Sequence, residues 1–182
     1  MKKVNLGRYS NSWYKRETVL KRALWYFTNS IFFSFFPPWP STLKVFFLKV
    51  FGAKVGRGAV IKPNVNIKYP WFLEMGDNVW LGEGAWIDSL GKVKIGNNVC
   101  ISQGVSIFTG NHNYKKESFD LLINDVTIED GVWVGAKAII CPGVVLKTHS
   151  VILVGSVVTC ATEEFTVYQG VPAQAIRKRI ME

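Results

Sequence analysis

Large aliphatic side chains return every six positions through the second half of this 182-residue chain, at Ile128, Val134, Ile140, Leu146, Ile152 and Val158. A smaller inward position follows each by four, at Val132, Ala138, Val144, Ser150 and Ser156, and glycine recurs between them (Gly131, Gly135, Gly143, Gly155). Helices and flat sheets have side-chain periods of about 3.6 and 2, so neither carries this pattern. A six-residue period fits a coil of short strands joined at corners, one strand and one corner per hexad. Gly, Asn and Asp supply the tight backbone such corners need. The pattern predicts an all-β solenoid and argues against a β-sandwich.

The same register appears upstream as Val55/Ile61/Ile67, Met75/Leu81/Ile87 and Ile95/Ile101/Ile107, with Ala59, Val65, Val79, Ala85, Val99 and Val105 four positions on. Two extra residues separate Ile87 from Ile95, at Ser89-Leu90-Gly91. The gap from Ile107 to Ile128 is 21, three residues more than three hexads, so a loop is let out there, and it contains His112. The chain therefore divides into a helical segment over 1–52, a coil over 53–162 with a loop at 108–127, and a C-terminal extension over 163–182, expected as a short tail or helix.

With these hexads, Asn66-Ile67-Lys68-Tyr69-Pro70-Trp71, Gly76-Asp77-Asn78-Val79-Trp80-Leu81-Gly82-Glu83 and Gly170-Val171-Pro172-Ala173 resemble the hexapeptide-repeat acyltransferases. More narrowly they resemble the colanic-acid-type O-acetyltransferases, with the maltose and galactoside acetyltransferases as wider relatives. The resemblance implies a left-handed parallel β-helix of three hexads per coil. The hand comes with the resemblance, because parallel crossovers are ordinarily right-handed. It also implies a homotrimer with active sites between subunits, and acetyl-CoA as co-substrate.

Charge changes the picture at the N-terminus alone. The formal charge is +9, but residues 1–62 hold twelve Lys/Arg against one acid, and residues 63–182 hold ten against twelve. The basicity is thus no property of the coil, and nothing in it calls for nucleic acid. Leu20, Leu24, Phe27 and Ile31 share one helical face, flanked by Lys15, Arg16, Lys21 and Arg22. The apolar stretch stops at Pro37-Pro38-Trp39-Pro40, short of the roughly 20 residues a membrane span needs. Its long basic region and lack of a small-residue cleavage site make it a poor signal peptide. A second amphipathic piece runs from Leu43 to Phe51. Two roles stay open for the segment: capping the open end of the coil, which exposes unpaired strand edges, or lying on an anionic membrane surface. A cytoplasmic protein is expected, with or without peripheral contact at the inner face of the membrane.

Cys100, Cys141 and Cys160 form no disulfide framework and read as reduced thiols. With only His112 and His149, the three-histidine zinc site of the fold's carbonic-anhydrase branch is not assembled, and no metal is required.

The loop Phe108-Thr109-Gly110-Asn111-His112-Asn113-Tyr114 places an imidazole, which titrates near neutral pH, on an outward turn pinned to a rigid coil. The bland alternative is a surface histidine with no task; the resemblance makes His112 the general base, because the family's catalytic histidine occupies the matching place. His149 reads as a structural corner residue. The implied reaction is direct transfer: His112 takes the proton of an acceptor hydroxyl, which attacks the thioester. Asp88, Glu83 and Glu117 are candidates to orient the ring. The family's acceptor-facing Asn is missing, so Glu83 or Asp88, with Asn111, is expected to meet a sugar or lipid-linked oligosaccharide. For coenzyme A the resemblance selects Trp133, Gly135, Ala136, Val154, Ser156 and Thr159 as the wall and Arg177 with Lys178 at the phosphates. A solvated basic tail is the alternative for the last two. Cys160 stands where the family commonly has a phosphate-binding Lys. The rival function is a catalytically inactive scaffold or membrane-docked interaction protein, and a third reading keeps the enzyme but gives it a longer acyl donor.

Overall fold

The computed structural model describes residues 3–15, 17–34 and 38–182. Its centre is a left-handed parallel β-helix with three flat faces. The first face stacks strands Lys54–Val55, Leu73–Met75, Val93–Ile95, Val126–Ile128 and Val145–Leu146. The second stacks Val60–Ile61, Trp80–Leu81, Cys100–Ile101, Trp133–Val134 and Val151–Ile152, and the third Asn66–Ile67, Trp86–Asp88, Ser106–Phe108, Ile139–Ile140 and Val157–Val158. Register is kept by like on like. On the second face Ile61, Leu81, Ile101, Val134, Ile152 and Tyr168 lie one above another. The third-face column Ile67, Ile87, Ile107 and Ile140 is wholly buried. A one-residue slip would turn each column outward, and burying such a side chain contributes roughly 1.5–3 kcal/mol.

The corners explain the polar residues between the columns. At the corner leaving the first face, Asp77 Oδ1 accepts from Arg57 N, Asn97 Oδ1 from Asp77 N, and Asp130 Oδ1 from Asn97 N, each bond 2.7–2.9 Å. Each carboxylate or amide thus occupies a backbone donor of the preceding coil. Asn78 and Asn98 take the left-handed conformation there, as Asn64 does at the next corner, a conformation Asn tolerates better than other non-glycine residues.

Two helices close the first coil: α1 (Val19–Asn29), continued by a π-helical turn over Ser30–Ser34, and α2 (Ser41–Val50). They meet the exposed edge of the first coil with side-chain hydrogen bonds. Trp25 Nε1 donates to Ile67 O at 2.8 Å, Lys44 Nζ to Ile61 O at 3.2 Å and Lys62 O at 3.0 Å, and Ser41 Oγ accepts from Ile61 N at 2.9 Å. Trp25 rests on Phe33 and Phe51, with centroids 5.4 and 5.2 Å away. The face read from the sequence is the other one. Leu20, Leu24, Phe27 and Ile31 are 69%, 52%, 61% and 50% exposed. An aliphatic stripe cannot satisfy an unpaired strand edge, whereas the indole and ammonium donors can. Arg16 and Pro37, used in the sequence reading, lie outside the described residues.

The C-terminal extension is neither a loose tail nor a helix. Thr166–Gly170 and Ala173–Lys178 form an antiparallel hairpin that extends the second face beyond Val151–Ile152. Among the described residues no helix is long and apolar enough to cross a membrane.

Candidate active site

The let-out loop leaves the corner after the third face. Its root is Thr109, fully buried, whose hydroxyl donates to Asp88 O at 2.8 Å and accepts from Gly91 N at 2.9 Å. From there Gly110–His112 pairs with Leu121–Ile123 as a hairpin, His112 opposite Leu121. The hairpin tip is held by Lys116 and Ser118 on Asp120, whose carboxyl sits below its usual range because the Ser118 hydroxyl, and then Lys116, bind it.

His112 is oriented by backbone. Its Nδ1 lies 3.0 Å from Phe119 O, and the Phe119 ring stacks on the imidazole at 4.5 Å and 8°. Phe119 has φ +51°, a left-handed turn that carries both its carbonyl and its ring to the histidine. A carbonyl only accepts, so Nδ1 bears the proton and Nε2 carries the lone pair. Of the expected orienting acids, Glu117 instead meets Arg8 at 3.2 Å, and Asp88 meets Lys68 at 2.8 Å. Glu83 is at the corner between the second and third faces, 3.5 Å from Asn64.

Around the imidazole is a cavity of about 260 Å³ lined by Tyr9, Asn11, Tyr14, Lys68, Tyr69, Leu90, His112 and Leu121. Its outer wall is the N-terminal segment, which sequence reasoning did not assign to the site. Asn5 N donates to Glu117 O at 2.9 Å, Tyr14 OH donates to Leu90 O at 2.6 Å, and the Tyr9 ring is 5.7 Å from His112. The one signal was the aromatic density of Tyr9, Trp13 and Tyr14 in an otherwise polar stretch, unusual for a solvated tail. Asp88 reaches the cavity through Lys68, while Glu83 and Asn111 do not line it.

The residues expected at coenzyme A lie mostly along other parts of the prism. Trp133, Arg177 and Lys178 share a groove of about 450 Å³ on the second face with Arg179 and Ile180. Lys178 is engaged by Glu163 at 2.9 Å, and Arg179 donates to Gly131 O at 3.0 Å and His149 O at 3.2 Å. Gly135, Ala136 and Val154 form the corner between the second and third faces. At Gly135 a Cβ would stand 2.7 Å from Ile152 O, so glycine is what lets the corner pack. The Ser156 hydroxyl is buried and accepts from Gly170 N at 3.2 Å, so it braces the hairpin and does not face a ligand. Thr159 and Cys160 are exposed at the last corner. Burial pushes the thiols of Cys100 and Cys141 up, away from the nucleophilic thiolate.

No family model matches the chain. It is 32% identical over 162 residues to a protein named as the colanic acid biosynthesis acetyltransferase WcaF of Escherichia coli (strain K12), covering 89% of each. It is 32% identical over 134 residues to the galactoside O-acetyltransferase of that organism, covering 72% of this chain and 66% of the relative. Among solved structures, a galactoside acetyltransferase in complex with coenzyme A matches with a TM-score of 0.76 at 26% identity, over 87% of this chain and 80% of that one. A hexapeptide-repeat acetyltransferase from Vibrio cholerae in complex with acetyl coenzyme A shares the fold, with a TM-score of 0.80 at 19% identity over 89% and 88%.

Proposed function

The chain belongs to the hexapeptide-repeat acetyltransferases, and from that premise we propose that it moves the acetyl group of acetyl-CoA to a sugar hydroxyl in bacterial surface-polysaccharide synthesis, with His112 as general base. One observation carries the assignment: the Phe119 carbonyl on Nδ1 leaves the lone pair of His112 on Nε2. Nε2 takes the hydroxyl proton as the oxygen attacks the thioester carbonyl. The tetrahedral intermediate expels the coenzyme A thiolate, which receives that proton from the imidazolium. No acyl-enzyme is involved. A silent scaffold would have no use for a histidine fixed in one tautomer beside a polar cavity.

Coenzyme A is assigned to the wall of Trp133, Gly135, Ala136, Val154 and Thr159, with Arg177 and Lys178 at its phosphates. Gly135, Ala136 and Val154 lie on a different edge of the prism from His112, about one hexad away, roughly 15–20 Å at about 3.3 Å per residue, while Thr159 is on the His112 edge two coils on. The separation supports a site completed between subunits, and a homotrimer is the assembly we assign. Acetyl-CoA consumption against a panel of sugars, for wild type and His112→Ala, is the test. A loss of about 10²–10⁴ in kcat is expected for removing a general base, and equal turnover by both proteins refutes the assignment.

A membrane role is favoured by a separate observation. The stripe Leu20, Leu24, Phe27 and Ile31 is left outside the core, in the segment that carries nearly all of the chain's excess positive charge. Such a surface suits an anionic leaflet and brings the enzyme to a lipid-linked oligosaccharide.

A further inference from the structure

A second cavity, of about 470 Å³, lies between α1 and the bottom of the third face. Its lining includes Arg22, Asn29, Ser30, Asn66 and Trp86, together with Lys68 and Tyr69. The last two also line the cavity of His112, so the two spaces share a wall. None of the residues lining the second cavity is acidic. Lys68 already has a counterion in Asp88. Arg22 does not: its Nε is buried without a hydrogen-bond partner among the described residues. A buried guanidinium donor left unmatched is costly, and the planar fork of arginine fits phosphate oxygens. Trp25 and Asn29 are spent on the strand edge, donating to Ile67 O and Asn66 Oδ1, which leaves the half-buried Arg22 as the cation lining this groove with no acidic partner among the described residues.

We propose that this groove is an anion subsite holding the phosphate or diphosphate ester of the acceptor, so that the enzyme acetylates a glycosyl phosphate ester in preference to a free sugar. The inference rests on the assignment of His112 as base only in placing the sugar ring on the far side of Lys68 and Tyr69. The phosphate would sit against Arg22, with Asn29, Ser30 and the aromatic faces of Tyr69 and Trp86 around it. A soluble sugar phosphate and a polyprenyl diphosphate sugar present the same chemistry here.

The test is calorimetric titration of the full chain, with coenzyme A saturating, using inorganic pyrophosphate and farnesyl diphosphate as probes. Arg22→Gln is expected to weaken both by about tenfold or more, the scale of one lost charge-assisted hydrogen bond. Arg22→Lys should retain part of the affinity. Ser30→Asp, which sets a carboxylate in the groove, should weaken binding without touching Arg22 and covers the case in which Arg22→Gln does not fold. Farnesyl diphosphate binding more tightly than pyrophosphate would identify a lipid-linked acceptor, and equal affinity a soluble one. The preference for a hexose 1-phosphate over the hexose, as a kcat/KM ratio, should fall with Arg22→Gln. Wild type that binds neither probe, or variants that bind both as wild type does, overturns the subsite. If His112→Ala retains transfer while Arg22 still governs pyrophosphate affinity, the base assignment fails and the subsite stands.

Discussion

Replacing Thr109 by valine keeps the shape of the side chain and removes only its hydroxyl. That hydroxyl bridges the root of the loop to the coil below, donating to Asp88 O at 2.8 Å and accepting from Gly91 N at 2.9 Å in a fully buried setting. Gly91 N would be left without a partner, at about 1–3 kcal/mol, while Asp88 O would keep the Leu90 N–H at 3.0 Å. The added methyl group recovers part of this, so a net loss of about 1–2 kcal/mol is expected. Urea unfolding followed by tryptophan fluorescence should show a lower midpoint at unchanged m. The loop carries His112, and a displacement of about 1 Å at a reacting group costs on the order of 10²-fold, so kcat should fall where the fold is intact. Thr109→Ser retains the hydroxyl and should lose about 1 kcal/mol, the worth of one buried methyl group. A valine variant within about 0.5 kcal/mol of wild type, or a serine variant as damaged as valine, refutes the idea that this hydroxyl sets the position of the base.

Trp25→Phe keeps an aromatic ring beside Phe33 and Phe51 but deletes the donor to Ile67 O; a loss of about 1–3 kcal/mol is expected in thermal or urea unfolding. Asp130 is held below the ordinary carboxylate range by the Asn97 N–H and then the Asn97 side chain, so its contribution is present above the unfolded-state pKa and disappears as pH falls through the folded one. Asp130→Asn should therefore flatten the acid limb of a stability–pH curve while lowering stability at neutral pH; an unchanged slope rejects the linkage. Leu24→Glu with Phe27→Glu should abolish flotation with anionic vesicles if the outer face of α1 is the contact, and equal flotation of both proteins removes that role.

The coil was legible because its signal is long and redundant. One substitution in the hexad series Ile128, Val134, Ile140 and Leu146 leaves the period readable, and the corner ladder of Asp77, Asn97 and Asp130 repeats the same bond at each turn. The C-terminal hairpin was not legible, because its inward column stops obeying the hexad after Val158 and its alternation is interrupted by the bulge at Val167 and Tyr168. The α1 surface misled for a physical reason. A helical period shows which residues share a face, but the face that docks was chosen here by the unpaired edge of the first coil, which needs the indole N–H of Trp25 more than it needs aliphatic area.

The site divides along the same line. That His112 stands on an outward loop could be read, because the segment interrupts a regular register and any insertion into a solenoid must leave it as a loop. What orients the imidazole could not be read, since the orienting group is a carbonyl and its aim depends on the left-handed φ of Phe119. Acids were the natural candidates from composition, yet Asp88 and Glu117 are occupied by Lys68 and Arg8. Backbone orientation has a chemical consequence. A carboxylate on Nδ1 would stabilise the imidazolium, whereas a neutral carbonyl fixes the tautomer with less bias toward the charged form. In the proposed transfer, charge developing on the thioester oxygen is then left to hydrogen-bond donors there. Arg22, half-buried beside the shared wall of Lys68 and Tyr69 with its Nε unpaired, is a cation along the proposed acceptor groove that no acid among the described residues engages.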